Sequence, residues 1–223
     1  MKKPLTLLFI VVLILTFAFC APSRYVKTLE KKQSVLAFSF GGPLIKFGGA
    51  PIPIPFTTLG YAYGCSDRIT AYGNLHTTSL LFGNFQTDLG ATVKLYEKEN
   101  QFGFSASPAL QIACNVRNQT GFRTWPSIDL NSYYHPNKKP SYIYAGINSW
   151  IELSSTKAHD EPQTKHAIPN LHIGYSVVKT KWQHQFELKY LGMGIANTPG
   201  VVDYIGASGK GTFGLYYSLI RKF

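Results

Sequence analysis

The chain has 223 residues and a formal charge of +11, and it is 45% hydrophobic, 15% charged and 14% aromatic. That aromatic content excludes a disordered chain, and 20 Gly with 13 Pro but no Gly-x-y period exclude collagen while implying many short turns. Three Cys exclude a disulfide-dense miniprotein or a Cys-rich zinc module, and the length suits one domain.

Met1-Lys2-Lys3-Pro4 and the apolar run from Leu5 to Phe19 read as the positive and hydrophobic regions of an export signal. The run is shorter than the roughly 20 apolar residues of a spanning helix. Residues 1–20 are therefore expected to be a signal peptide. Cys20 ends the run in a context, Phe17-Ala18-Phe19-Cys20-Ala21, that resembles a bacterial lipobox. The resemblance implies diacylation of Cys20, although Phe19 stands where a small residue is usual, and ordinary cleavage near Ala18 or Ala21 is the alternative. Residues 21–33 are polar and basic and are expected to be a periplasmic tether, with the folded unit over 34–223.

From there on the recurring signal is period 2, the mark of strands with unlike faces. Phe85, Thr87, Leu89, Ala91, Val93 and Leu95 alternate with Gln86, Asp88, Gly90, Thr92, Lys94 and Tyr96. Similar alternation occupies 101–114, 141–153 and 182–190, and weaker runs lie at 34–40, 56–64, 69–80, 127–135, 168–178 and 211–223. The count is about ten strands, eight being the nearest alternative. Short polar connections at 66–68, 97–100, 136–140 and 179–181 alternate with longer ones at 41–55, 116–126, 154–167 and 193–210, and with the short turn 82–84.

Period 2 does not say which face is buried. A soluble barrel puts the apolar face inward, and a membrane barrel puts it outward. Asp88, Lys94, Glu152, Glu187 and Lys189 on the polar faces suit a polar lumen, and long strands joined by alternating short and long connections suit a membrane barrel. The terminal segment Gly211 to Phe223 resembles the closing strand of a Gram-negative outer-membrane β-barrel. Thr212, Gly214, Tyr217 and Leu219 match that family's assembly signal, and the chain ends on Phe223. The resemblance implies an all-β antiparallel transmembrane barrel, apolar face outward, exported to the outer membrane and assembled by the barrel-assembly machinery. It also implies short turns and termini in the periplasm.

On that topology His76, Asp88, Asp129, Glu152, His172 and Lys189 gather in the outer half of the lumen, as a ligand or acid/base site or as a salt-bridged polar plug. Thr92, also inward, is expected to accept Arg better than Leu89 does. No His-x-His, zinc-protease or Gly-x-Ser-x-Gly motif occurs, and no metal, cofactor or catalytic residue is expected. His172 and Ser176 share a face but stand about 13 Å apart by strand rise, too far for proton transfer. Basic residues at both rims suggest contacts with membrane lipids and lipopolysaccharide, and nucleic acid is not expected. The expected function is a structural or interaction role, or a narrow passage for small solutes. An envelope lipid-acting enzyme and a soluble periplasmic ligand-binding barrel are the alternatives. Cys65 and Cys114 fall at opposite rims, too far apart to be joined.

Overall fold

The computed structural model describes residues 25–98, 101–116, 121–156, 162–197 and 202–223; the signal segment and Cys20 lie outside them. The described strands are β1 (Ser34–Phe47), β2 (Ala50–Pro53), β3 (Phe56–Ser66), β4 (Ile69–His76), β5 (Asn84–Lys98) and β6 (Phe102–Asn115). They continue with β7 (Arg123–Tyr134), β8 (Tyr142–Ile151), β9 (Ala167–Val178), β10 (Trp182–Ala196) and β11 (Lys210–Lys222). Every strand but β2 pairs antiparallel with its chain neighbours to make a ten-strand wall. The wall closes where β11 pairs with β1, from Val35↔Lys222 to Pro43↔Gly214.

Alternation fixes the two faces. Leu36, Phe38, Leu59, Leu89, Leu110, Ile128, Ile147, Ile173, Phe186, Leu188 and Leu215 stand exposed on the outside. Thr70, Asp88, Thr92, Ser107, Asn131, Asn170, Ser176, Gln185 and Ser218 point inward and are buried. The apolar face is outward. Such a wall cannot be solvated by water at low cost, because its contiguous apolar surface far exceeds what a soluble monomer exposes.

The short polar connections at 66–68, 97–100, 136–140 and 179–181 open at one end, here called the turn end, where β1 begins and β11 finishes. The long connections open at the other, the loop end. Three register shifts interrupt the ladder, between Gly64 and Ser66, between Lys94 and Tyr96, and between Leu191 and Ala196. The second inserts Leu95, so that Leu95 and Tyr96 are both exposed. Strict alternation had put Tyr96 on the polar face; the inserted residue turns it outward and brings Glu97 in.

Three loop-end segments are more ordered than alternation alone predicts. Within 41–55, expected as a loop, β1 runs on past the wall and folds back as β2, pairing Leu44↔Pro53 to Phe47↔Ala50. Ile54 N–H donates to Pro43 O, which sets the donors of alternate residues toward β1 and leaves the prolines of 51–55 on the free edge. Within 69–80 the strand stops at His76 and helix α1 (Thr77–Leu81) follows, anchored by the Thr57–Thr77 and Thr57–Thr78 hydroxyl bonds. Residues 203–205 bridge the two sides of the closure: Lys46 N–H donates to Asp203 O, Ile205 N–H to Leu44 O and Phe213 N–H to Ile205 O.

Cys65 lies in the first bulge, exposed at the turn end, and Cys114 is half-buried at the loop end of β6; both are free thiols. Alkylation of denatured, unreduced protein with peptide mapping is expected to find both modified. A Cys65–Cys114 disulfide would require one strand between them to be reversed.

Candidate functional site in the barrel lumen

The lumen is asymmetric. On the side of β1 and β3–β6, around Tyr72, much of the lining is small: Ala37, Gly60, Ala62, Gly64, Thr70, Thr92, Ser105 and Ser107. β7 and β8 carry Tyr133, Tyr142 and Tyr144, and β11, beside β1, carries Tyr216. The space left by the small residues is taken by the chain itself. Residues 25–33, the described part of the tether expected over 21–33, enter from the turn end, with Tyr25 to Leu29 inside the barrel and Glu30 to Lys32 exposed at its mouth.

The segment is fixed along its length. Thr92 Oγ1 donates to Tyr25 O and Ser105 Oγ to Val26 O, each at 2.6 Å. Leu29 N–H donates to Thr70 Oγ1 at 2.8 Å. Lys32 N–H donates to Gly64 O, and Gly64 N–H donates to Gln33 O. Tyr25 packs with Val35, Ala37, Ala62, Tyr72 and Ile220, while Val26 packs with Tyr133, Tyr142 and Tyr144. Burial, reinforced by Asp88 and Tyr72, pushes the Tyr25 phenol far above its ordinary range, so it stays neutral.

Lys27 is the segment's charged foot. It pairs with Glu97, which also receives Lys94 at 3.1 Å. Its ammonium also donates to His135 Nε2 at 3.3 Å, and His135 Nδ1–H donates to Lys139 O. The bulge at Leu95 makes this pairing possible, since it aims Glu97 into the lumen.

The six polar residues predicted from sequence all reach the interior or its loop-end rim, where they form separate pairs rather than one centre. His76 Nε2 lies 2.8 Å from Asp88 Oδ1, and Asn74 Nδ2 donates to Asp88 Oδ2 at 2.7 Å. Asn148 donates to Asp129, accepts from Asn170, and Asn170 in turn accepts from Gly192 N–H. This carries one chain of amides across β7, β8, β9 and β10. Glu152 accepts from Trp125 Nε1 at 2.7 Å and from Ser154 N–H. His172 bonds Asn131 at 2.7 Å. Lys189 pairs with Glu187 at 3.0 Å and lies over the Tyr216 ring. Tyr144 O–H donates to Glu187 Oε2, and Gln185 donates to that same hydroxyl. Thr92, being wholly buried and bonded to the segment, has no room for Arg.

Sequence reasoning missed a repeated joint between tyrosine and glycine. Gly90, Gly103 and Gly174 are the direct cross-strand partners of Tyr72, Tyr133 and Tyr144. A Cβ on any of these glycines would lie 2.3 to 2.7 Å from the facing ring. Each ring is thus laid flat across the bare backbone opposite, which fills the lumen without widening the wall. The signal available in sequence was the Tyr and Gly content of the polar faces.

Such an interior can hold a peptide segment and exchange hydrogen bonds with it. No group of three or more His, Cys, Asp or Glu suited to a metal occurs among the described residues, and no helix is long and apolar enough to cross a membrane.

No family profile and no curated protein sequence matches the chain. Solved structures do. The fold is similar to an outer-membrane channel from Pseudomonas putida F1, with a TM-score of 0.51 and 10% identity over 92% of this chain and 100% of that one. The NanC porin follows at TM-score 0.42 and 9% identity, over 85% of this chain and 98% of its own. A bacterial polysaccharide outer-membrane secretin gives 0.40 and 8%, over 87% and 99%. The likeness is one of fold.

Proposed function

We propose that the chain is an outer-membrane β-barrel of a Gram-negative bacterium, closed by its own residues 25–33 and serving a structural or interaction role. The observation that carries the reading is the pairing of an apolar outer wall with a lumen whose polar lining is spent on that segment and on pairs within the wall itself. The outward wall argues against a soluble ligand-binding barrel. On this reading the turn end is periplasmic, and export leaves residue 21 or a diacylated Cys20 at the start of the mature chain. Thr212, Gly214, Tyr217, Leu219 and Phe223 then present the closing strand to the barrel-assembly machinery. On the same reading, basic residues of the loop end, such as Lys165 and Lys210, are the ones that meet lipopolysaccharide phosphates.

Passage of small solutes is the second reading, favoured by one feature. The segment is joined to the wall covalently only through Gln33, and its departure would leave a polar lining behind. Gly64 offers the means to separate the two. A Cβ there would lie 2.0 Å from Glu30 O, while its own backbone, at the edge of the bulge in β3, does not need the left-handed region. Gly64→Val is therefore expected to displace the segment without breaking the wall. In planar bilayers the wild type is expected to show no steady conductance and Gly64→Val to show discrete openings. Steady wild-type conductance would overturn the closed-barrel reading.

A further inference from the structure

The outer wall is not uniformly smooth. Between β8 and β1, across the closure of the barrel, an open apolar groove of about 660 Å³ is lined by Phe40, Ile173, Phe186, Leu188, Leu215 and Tyr217 among others. Toward the turn end it meets two polar groups that a hydrocarbon-facing wall does not need. His184, directed outward from β10, bonds the Tyr217 hydroxyl through Nδ1 at 2.9 Å. Arg221, on β11, is the cross-strand partner of Trp182. It is thus a diagonal neighbour of His184, about 7–8 Å away between Cα atoms.

Arg221 is exposed, and its guanidinium lies 5.4 Å from the Trp182 ring centroid and 5.2 Å from that of Phe223. Among the described residues its guanidinium makes no hydrogen bond or ion pair, so its forked N–H donors are held in place by rings and left open. Nε2 of His184 is likewise without a partner there. Lys179 and Lys181 stand exposed on the adjoining turn and reinforce the positive field.

We propose that this groove is a binding site for a phosphate-bearing glycerolipid of net negative charge, its acyl chain lying along the groove and its phosphate received by Arg221 and His184. The apolar length and the cationic end match the two halves of such a molecule. A planar guanidinium stacked on aromatic rings also suits a phosphate's paired oxygens better than a lysine would. The proposal rests on the membrane reading above, and one measurement separates the two.

Trp182 is the outward tryptophan of the site, whereas Trp125 and Trp150 face the interior and supply an unquenched background. The protein is reconstituted in phosphatidylcholine vesicles, with brominated acyl chains carried either by phosphatidylglycerol or by the phosphatidylcholine itself. Trp182 is expected to prefer the brominated phosphatidylglycerol by about fivefold, the worth of one cationic residue at an anionic membrane surface. Arg221→Gln combined with His184→Leu is expected to bring the preference to unity. Equal quenching by both lipids in the wild type overturns the site, and so does a preference that survives the double substitution. No quenching by either lipid would overturn the membrane reading instead.

Discussion

Asp88→Ala is expected to lower the stability of the folded barrel by about 3–5 kcal/mol, the usual cost of removing one partner from a buried polar pair. Asp88 is 0% exposed and accepts hydrogen bonds from both His76 and Asn74. Alanine leaves the buried His76 and the half-buried Asn74 without this acceptor, and His76 above all must then bear its own desolvation. Asp88→Asn keeps the shape and one acceptor, and is expected to cost less. The midpoint of urea unfolding in detergent micelles, followed by the heat-dependent shift in gel migration, checks both. A loss under about 1 kcal/mol for Asp88→Ala would assign the pair no more than an ordinary hydrogen bond's worth.

Leu89→Arg is expected to cost about 2–4 kcal/mol in a lipid bilayer, because a guanidinium at mid-depth must be solvated by hydrocarbon or drag water in with it. Leu89 is 52% exposed on the outer wall. Phe102 also faces outward but stands at the turn end, paired with Lys98 and Tyr134. Arg there should cost about 0–1 kcal/mol, as expected near an interface. It is the gradient that matters. An apolar wall covered by a protein partner would punish both positions alike, whereas a bilayer punishes depth.

The wall was legible because every strand answers to two unlike solvents. Leu89 against Asp88, or Phe186 against Gln185, states the rule in two residues. The rule carries no information about an inserted residue, so the bulge at Leu95 and the inward turn of Glu97 were hidden. Nor does it describe 44–53, where prolines mask a strand that pairs on one side alone. The six polar residues of the lumen were legible as a set, because a charge on an inward face has few places to go. Their division into separate pairs was not, since it depends on which neighbour each side chain meets. Residues 25–33 read as solvent-loving because Lys27, Lys31 and Lys32 dominate their composition. The apolar contribution of Tyr25, Val26 and Leu29 shows only beside the run Gly60-Tyr61-Ala62-Tyr63-Gly64, whose inward members leave a trough for them.

The prolines of the β1–β2 hairpin decide how that hairpin can meet anything else. Ile54 turns its N–H toward Pro43, and Ile52, two residues earlier, faces the same way in the register with Ile45. Pro51 and Pro53 therefore occupy the positions whose nitrogens face away from β1, and Pro55 continues the series. That border offers carbonyl oxygens but no donors at alternate residues, so a passing strand finds only half of a ladder. Barrels crowded in one plane cannot fuse their sheets through this hairpin. Whatever docks there must be recognised by side chains such as the exposed Phe47 and Ile52, and its specificity is open to change one residue at a time.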